Sequence, residues 1–251
     1  ALGLGLSVGP LLGAVLGHIS WRGPFIGTSV LMGAALLLSI FMLQRDSHLE
    51  RAPIKLLDPL RALRDRALLR TSVASALYTA AFFTVLAWSP FVLQWGAIEV
   101  GLIFFGWGVS VAVAGVVFAP RLASRLGDER ATLLSICGYA VLMVVLAVGG
   151  KVLVAVGVIV SGLISGLLNT LLTGAAMSVS NAPRPVASAG YNVLRWAGGA
   201  LAATFVGPIS EWFGASHAPF AVAVVLCLLA AGVMAIGVVR MRTAQAALAT
   251  D

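Results

Sequence analysis

The sequence predicts an all-α, polytopic membrane protein, and three observations carry that reading. Hydrophobic residues make up 60% of the chain and charged ones only 10%, whereas soluble domains carry about a quarter charged residues. The apolar residues gather into runs of the length that crosses a hydrocarbon core, about 20 residues for ~30 Å. The basic residues fall in alternate gaps between those runs, the pattern that orients helices in a bilayer.

Eight runs meet that length, near 1–17, 24–44, 71–93, 100–119, 131–150, 152–176, 188–210 and 218–239. Seven hold no Lys, Arg, Asp or Glu, and the run 188–210 holds one, Arg195. The net charge of +7 is spread among the gaps and forms no stripe along one face, so it reads as topology and not as a nucleic-acid surface. Arg45, Arg51, Lys55, Arg61, Arg64, Arg66 and Arg70 follow the second run, Arg121, Arg125 and Arg130 the fourth, Arg184 the sixth, and Arg240 and Arg242 the last. The other gaps carry only Arg22 and Lys151. The positive-inside rule therefore predicts that both ends of the chain are cytoplasmic, with Trp21, Trp95 and Trp212 in an aromatic belt at the opposite interface.

The expected layout is two helices over 1–44, a cytoplasmic linker over 45–70, and a six-helix bundle with a short tail over 71–251. In the linker, Asp58 and Pro59 supply an N-cap and a first-turn proline. Leu56, Leu57, Leu60 and Leu63 recur at helical spacing among Lys55, Arg61 and Arg64. This predicts a short amphipathic helix on the inner leaflet, the alternative being a solvated hinge. The chain begins at Ala1 inside an apolar run with no positively charged leader, which predicts a missing upstream segment and not a signal peptide.

A faint internal repeat agrees. Gly9-Pro10 leads to Ile19-Ser20-Trp21-Arg22-Gly23-Pro24-Phe25, and Gly207-Pro208 leads to Ile209-Ser210-Glu211-Trp212, with Pro219-Phe220 opening the next helix. The two stretches lie six helices apart in the same orientation, so the unit is a parallel six-helix repeat and four helices are expected ahead of the first.

Gly5, Gly9, Gly13 and Gly17 recur every four residues, with Pro10 beside them. A stripe of this kind lets a neighbouring backbone come close, either as ordinary helix packing or as a sliding contact. The stretch from Gly5 to Ala14 resembles motif C, Gly-x-x-x-Gly-Pro-x-x-Gly-Gly, of helix five in the drug:proton antiporters of the major facilitator superfamily; Ala14 stands at the last glycine. The stretch from Pro120 to Arg130 resembles the degenerate second copy of motif A, between helices eight and nine. There Arg121, Arg125, Gly127 and Arg130 occupy basic and turn positions, and Ser124 stands where the stronger copy has Asp; a basic loop that only fixes topology would look the same. Ala189-Gly190-Tyr191-Asn192-Val193-Leu194-Arg195-Trp196-Ala197-Gly198-Gly199 is similar to helix eleven of those antiporters. The resemblance makes the eight runs family helices five to twelve of twelve.

Arg195 stands out without any family. It is an ionised side chain inside a span, with Asn192 and Tyr191 three and four residues earlier on the same face as possible partners. It either faces a wet cavity or gate, or snorkels to the interface about 12 Å away. Asn169, with Ser161, Ser165, Thr170 and Thr173, forms a second polar cluster, read as cavity lining or as interhelical hydrogen bonding. Tyr78, Phe82, Trp88 and Trp107 are aromatic candidates for the cavity or for packing.

No catalytic constellation is present. His18, His48 and His217 are too dispersed for a metal, Cys137 and Cys227 lie in separate apolar runs, and no glycine-rich loop with a following Lys offers a phosphate site. The resemblance implies a non-enzymatic secondary transporter without a cofactor. It would work by alternating access in a bacterial cytoplasmic membrane, coupling protons to efflux of small amphipathic or hydrophobic substrates, together with N-terminal helices not in this sequence. Two alternatives stand beside it: a metabolite importer or uniporter of the same fold, and a non-transporting membrane protein.

Overall fold

The computed structural model describes residues 2–42, 55 and 57–248, with side chains described from Val8 to Met42, at Gly5 and Lys55, and from Leu57 to Gly237. Each apolar run is helical: α1 (Leu2–Ile19), α2 (Gly23–Met42), the short α3 (Asp58–Ala62), α4 (Arg66–Leu93), α5 (Ala97–Val113), α6 (Ala119–Leu126), α7 (Asp128–Val148), α8 (Lys151–Val179), α9 (Arg184–Phe213) and α10 (Ala218–Leu248). A π-helical turn, Ala114–Phe118, joins α5 to α6 without a break. The helix of the fourth apolar run thus extends to Leu126, past the expected end of the run at 119, because the motif-A-like residues continue it.

Among the described residues six helices are long and apolar enough to cross a membrane: α2, α4, α5 with α6, α7, α8 and the Ala218–Gly237 part of α10. α1 contributes a shorter apolar stretch, Val8–Ile19, and α9, which carries Arg195 and is rich in glycine and alanine, is not among the six.

The helix ends follow from their residues. Asp65 caps α4 by accepting from the Ala67 amide at 2.9 Å. Gly127 at φ 77° lets α7 start immediately after α6, and Gly214 at φ 59° ends α9. Gln94 ends α4 in the left-handed region at φ 53°, and its side chain accepts from Lys151 Nζ at 3.1 Å. Asp58 is not the N-cap that its sequence position predicts; Leu57 holds that place, and the Asp58 carboxylate accepts from the Lys55 amide at 2.8 Å.

The core runs along α4, α5, α7, α8 and α10. Tyr78, Trp107, Tyr139, Met143, Leu168 and Phe220 are among its large buried side chains. Leu163, Leu201, Leu228 and other apolar residues are exposed on the outer surface, as expected where the solvent is lipid. Small residues set how closely helices approach. On α8, Gly162 and Gly166 face α5: a Cβ at Gly162 would collide with the Trp107 carbonyl, and one at Gly166 would lie 2.9 Å from Ala114 Cβ. On α9, Gly198 meets the Ala76 carbonyl of α4.

α1 packs on α5 and on α2, while α2 has no buried residue. The close approach of α1 comes from Gly101 of α5, where a Cβ would stand 2.8 Å from Ala14 Cβ and 3.6 Å from the Pro10 carbonyl. The stripe points elsewhere: no described atom lies within 4 Å of a Cβ built at Gly5, Gly9 or Gly13. α3 packs on α9, with Pro59 and Leu63 against Gly190, while Leu57 and Leu60 face outward. Arg45, His48 and Arg51 lie outside the described residues, as do the side chains of Arg240 and Arg242.

Candidate functional site

α8 and α9 bring the two polar clusters of the sequence together. Arg195 Nη2 donates to Asn169 Oδ1 across the helix pair. The guanidinium also lies over two aromatic faces of its own helix, 5.3 Å from the Trp196 ring and 5.9 Å from the Tyr191 ring. Tyr191 sits four residues before Arg195 and so on the same helical face, and its hydroxyl shares a 2.9 Å hydrogen bond with Ser75 Oγ of α4. One line of contacts, Ser75–Tyr191–Arg195–Asn169, therefore links α4, α9 and α8.

The sequence expectation for the partners of Arg195 needs correction in part. Asn192 turns back along α9, donating to the Ser188 carbonyl at 3.0 Å, and does not hold Arg195. An asparagine amide in a helix satisfies itself readily on a carbonyl four residues back, whereas the Asn169 oxygen on the facing helix is open to a donor. Tyr191 contributes its ring face and not its hydroxyl. Arg195 is half-buried, and its Nε has no hydrogen-bond partner among the described residues. The ion pairs among those residues, Asp58–Arg61 and Arg70–Glu129, do not include it.

The aromatic candidates divide. Tyr78 is buried, meets Tyr139 edge-on at 5.3 Å and lies 3.5 Å from the Ser165 carbonyl, its acceptor. Trp107 is buried against Phe82 and Phe104. In this conformation both are buried in the core. Trp88 sits near the far end of α4, where its Nε1 donates to the Ser216 carbonyl at 2.7 Å. Of the other α8 residues, Ser161 bonds the Val158 carbonyl at 2.6 Å, and Thr170 Oγ1 reaches the Gly166 carbonyl at 3.2 Å and that of Gly115 at 3.4 Å.

An apolar cleft of about 430 Å³ opens between α4, α9 and α10, next to the helix that carries Arg195. Ala76, Ala80, Leu194, Leu201, Phe205 and Leu226 are among its walls. Its chemistry is hydrophobic, and Arg195 is not part of its lining.

The motif-A-like segment is exposed. Arg121 donates to the Val117 carbonyl at 2.8 Å, and neither Arg125 nor Arg130 has an ion-pair partner among the described residues. The carboxylate used here is Glu129, whose Oε1 stands 3.8 Å from Arg70 Nη2 of α4. Sequence reasoning passed over both residues, treating Arg70 as a topology charge; the adjacent acids Asp128 and Glu129 among basic residues at the start of α7 were the available signal. No cluster of His, Cys, Asp and Glu suited to a metal occurs among the described residues.

Residues 1–203 match the Major Facilitator Superfamily. The chain is 39% identical over 218 residues to the multidrug efflux protein YfmO of Bacillus subtilis, covering 86% of this chain and 55% of that protein. It is 30% identical to the class C tetracycline resistance protein of Escherichia coli, over 58% of this chain and 39% of the relative. It is also 27% identical to the class G tetracycline resistance protein of Vibrio anguillarum, over 76% and 56%. The chain thus spans about half the length of the curated relatives it matches.

Proposed function

Because this chain belongs to the Major Facilitator Superfamily and is an integral membrane protein, we propose that it forms the later part of a proton-coupled exporter of small amphipathic or hydrophobic compounds. The observation that carries the reading is the likeness over 86% of the chain to a multidrug efflux protein.

In this reading all eight apolar helices span the bilayer, α1 and α2 closing a first bundle and α4 to α10 forming the second. The loop before α4, the α6–α7 turn and both ends of the chain are cytoplasmic, which the distribution of basic residues supports. The glycine stripe of α1 faces helices contributed from outside this sequence. Transport proceeds by rocking of the two bundles around a midplane site. Arg195 is the gate residue. An ionised guanidinium in a span costs about 2.5–3.5 kcal/mol on insertion scales, and the Asn169 bond offsets part of that without supplying negative charge. The residual positive charge is available to a substrate or to a carboxylate of the first bundle. Coupling to protons rests on the resemblance, since no described helix places Asp or Glu mid-span.

Everted vesicles carrying the whole transporter, given an imposed pH gradient and a fluorescent amphipathic dye, test the reading. Gradient-dependent uptake is expected, reduced strongly by Arg195→Ala and only in part by Arg195→Lys, with membrane levels unchanged. Dye movement indifferent to the gradient in the parent would refute coupling, and parental transport by Arg195→Ala would remove Arg195 from the gate.

A further inference from the structure

At the basic end of the bundle, α4 and α10 leave a groove of about 500 Å³. Its mouth carries Arg66 and Arg70, four residues apart and so on one face of α4. Its floor is apolar, with Val73 of α4 facing Val233 and Ile236 of α10. At 1.5 Å per residue, Val73 lies about 4.5 Å deeper than Arg70. The groove is therefore sorted by depth, charge at the headgroup level and hydrocarbon beneath.

Arg70 is fixed in place but weakly neutralised. Its guanidinium lies flat against Gly237, where any Cβ would collide with it. The carboxylate that faces it, Glu129, stands at 3.8 Å, beyond hydrogen-bond distance. Arg70 Nε is buried with no hydrogen-bond partner among the described residues. Arg66 is exposed, adds a second positive charge and takes part in no ion pair among the described residues. Of the residues that line the groove, Leu69 and Ile236 are 39% and 54% exposed, so the trough opens sideways toward lipid.

We propose that this groove is a binding site for an anionic phospholipid, its phosphate on Arg66 and Arg70 and an acyl chain along Val73, Val233 and Ile236. Basic pockets between helices at this level suit such headgroups. A zwitterionic lipid brings its own ammonium to a mouth that is already positive, and a free phosphate makes no use of the trough. The proposal needs the chain to lie in a membrane but not to be an efflux pump, so the two readings fail separately.

The test is native mass spectrometry of the purified whole transporter, titrated with phosphatidylglycerol or with phosphatidylethanolamine of the same acyl chains. Phosphatidylglycerol adducts are expected to dominate. Arg66→Gln should weaken them about fivefold and Arg66→Gln/Arg70→Gln further, following the usual increment per basic residue at an anionic surface. Val233→Trp, which fills the trough and keeps both charges, should weaken them as well. Arg66→Gln decides the matter if the Arg70 variant misfolds, because Arg66 takes part in no described ion pair. Equal retention of the two lipids, or parental phosphatidylglycerol occupancy in Arg66→Gln, overturns the proposal. Displacement of the adduct by soluble glycerol phosphate overturns it in favour of a simple anion site.

Discussion

Removing Asn169 should destabilise the protein more than removing Asn169 and Arg195 together. The geometry sets the sizes. Arg195 is half-buried, its Nε has no hydrogen-bond partner among the described residues, and Nη2 has Asn169 Oδ1 as its acceptor. A hydrogen bond to a charged group contributes about 1.5–3 kcal/mol, while side-chain bonds between membrane helices average only ~0.6 kcal/mol. The ionised donor and the missing second acceptor argue for the upper part of that interval, moderated by the two ring faces that remain at 5.3 and 5.9 Å. Asn169→Ala is expected to cost about 1–2 kcal/mol. Arg195→Met leaves a neutral amide without its donor and should cost less, about 1 kcal/mol. The double variant buries no unsatisfied group and should return toward the parent, giving a coupling energy of about 1–2 kcal/mol. Unfolding of the four purified proteins in rising dodecyl sulfate fraction, followed by tryptophan fluorescence, measures the cycle. Additivity within about 0.3 kcal/mol would mean that the pair is not coupled, and the account of Arg195 as a charge compensated by Asn169 would be wrong.

Two further predictions rest on other features. In a background with Cys137 and Cys227 replaced, Ser216→Cys should react in intact cells with an impermeant thiol reagent and Ser124→Cys only after permeabilisation; both positions are exposed, so reversed labelling would invert the topology. Gly166→Ala should lower the thermal midpoint in detergent by an overpacking cost of about 1–3 kcal/mol, because its Cβ would meet the Val111 carbonyl and Ala114 Cβ. Gly174→Ala, on the same helix with open space around it, should be neutral or slightly stabilising, and equal losses in both variants would detach the effect from the α5–α8 contact.

Helix positions were legible in the sequence because each apolar run is long and clean. Where two runs are atypical, the reading by length is also weakest: α1 offers a short apolar stretch and α9 carries Arg195. That Arg195 and Asn169 are both special could be read from their types, but not that they touch, since 26 residues and a turn separate them. The expected Asn192 partnership failed because spacing on one helix shows which side chains share a face, not which of them prefers its own backbone. Tyr78 and Trp107 share a type with cavity aromatics, and only packing distinguishes the two roles. The glycine stripe of α1 was conspicuous by its repeat, yet the close contact fell to a single glycine, Gly101, whose significance depends on what lies opposite.

The π turn at Ala114–Phe118 changes the phase of everything that follows it. Its hydrogen bonds span five residues where an α-helix spans four, so the turn holds one additional residue. At 3.6 residues per turn, one added residue advances the helical wheel by about 100°. A wheel drawn on the facing residues Gly101, Phe104, Trp107 and Val111 cannot be extended past Phe118 without error. Arg121 and Arg125 are therefore aimed by the turn as much as by their sequence positions. Regularising Ala114–Phe118 to α geometry at the same length would swing both guanidiniums about a quarter-turn around the axis, whereas deleting one residue there would remove the extra residue and leave their direction nearly unchanged.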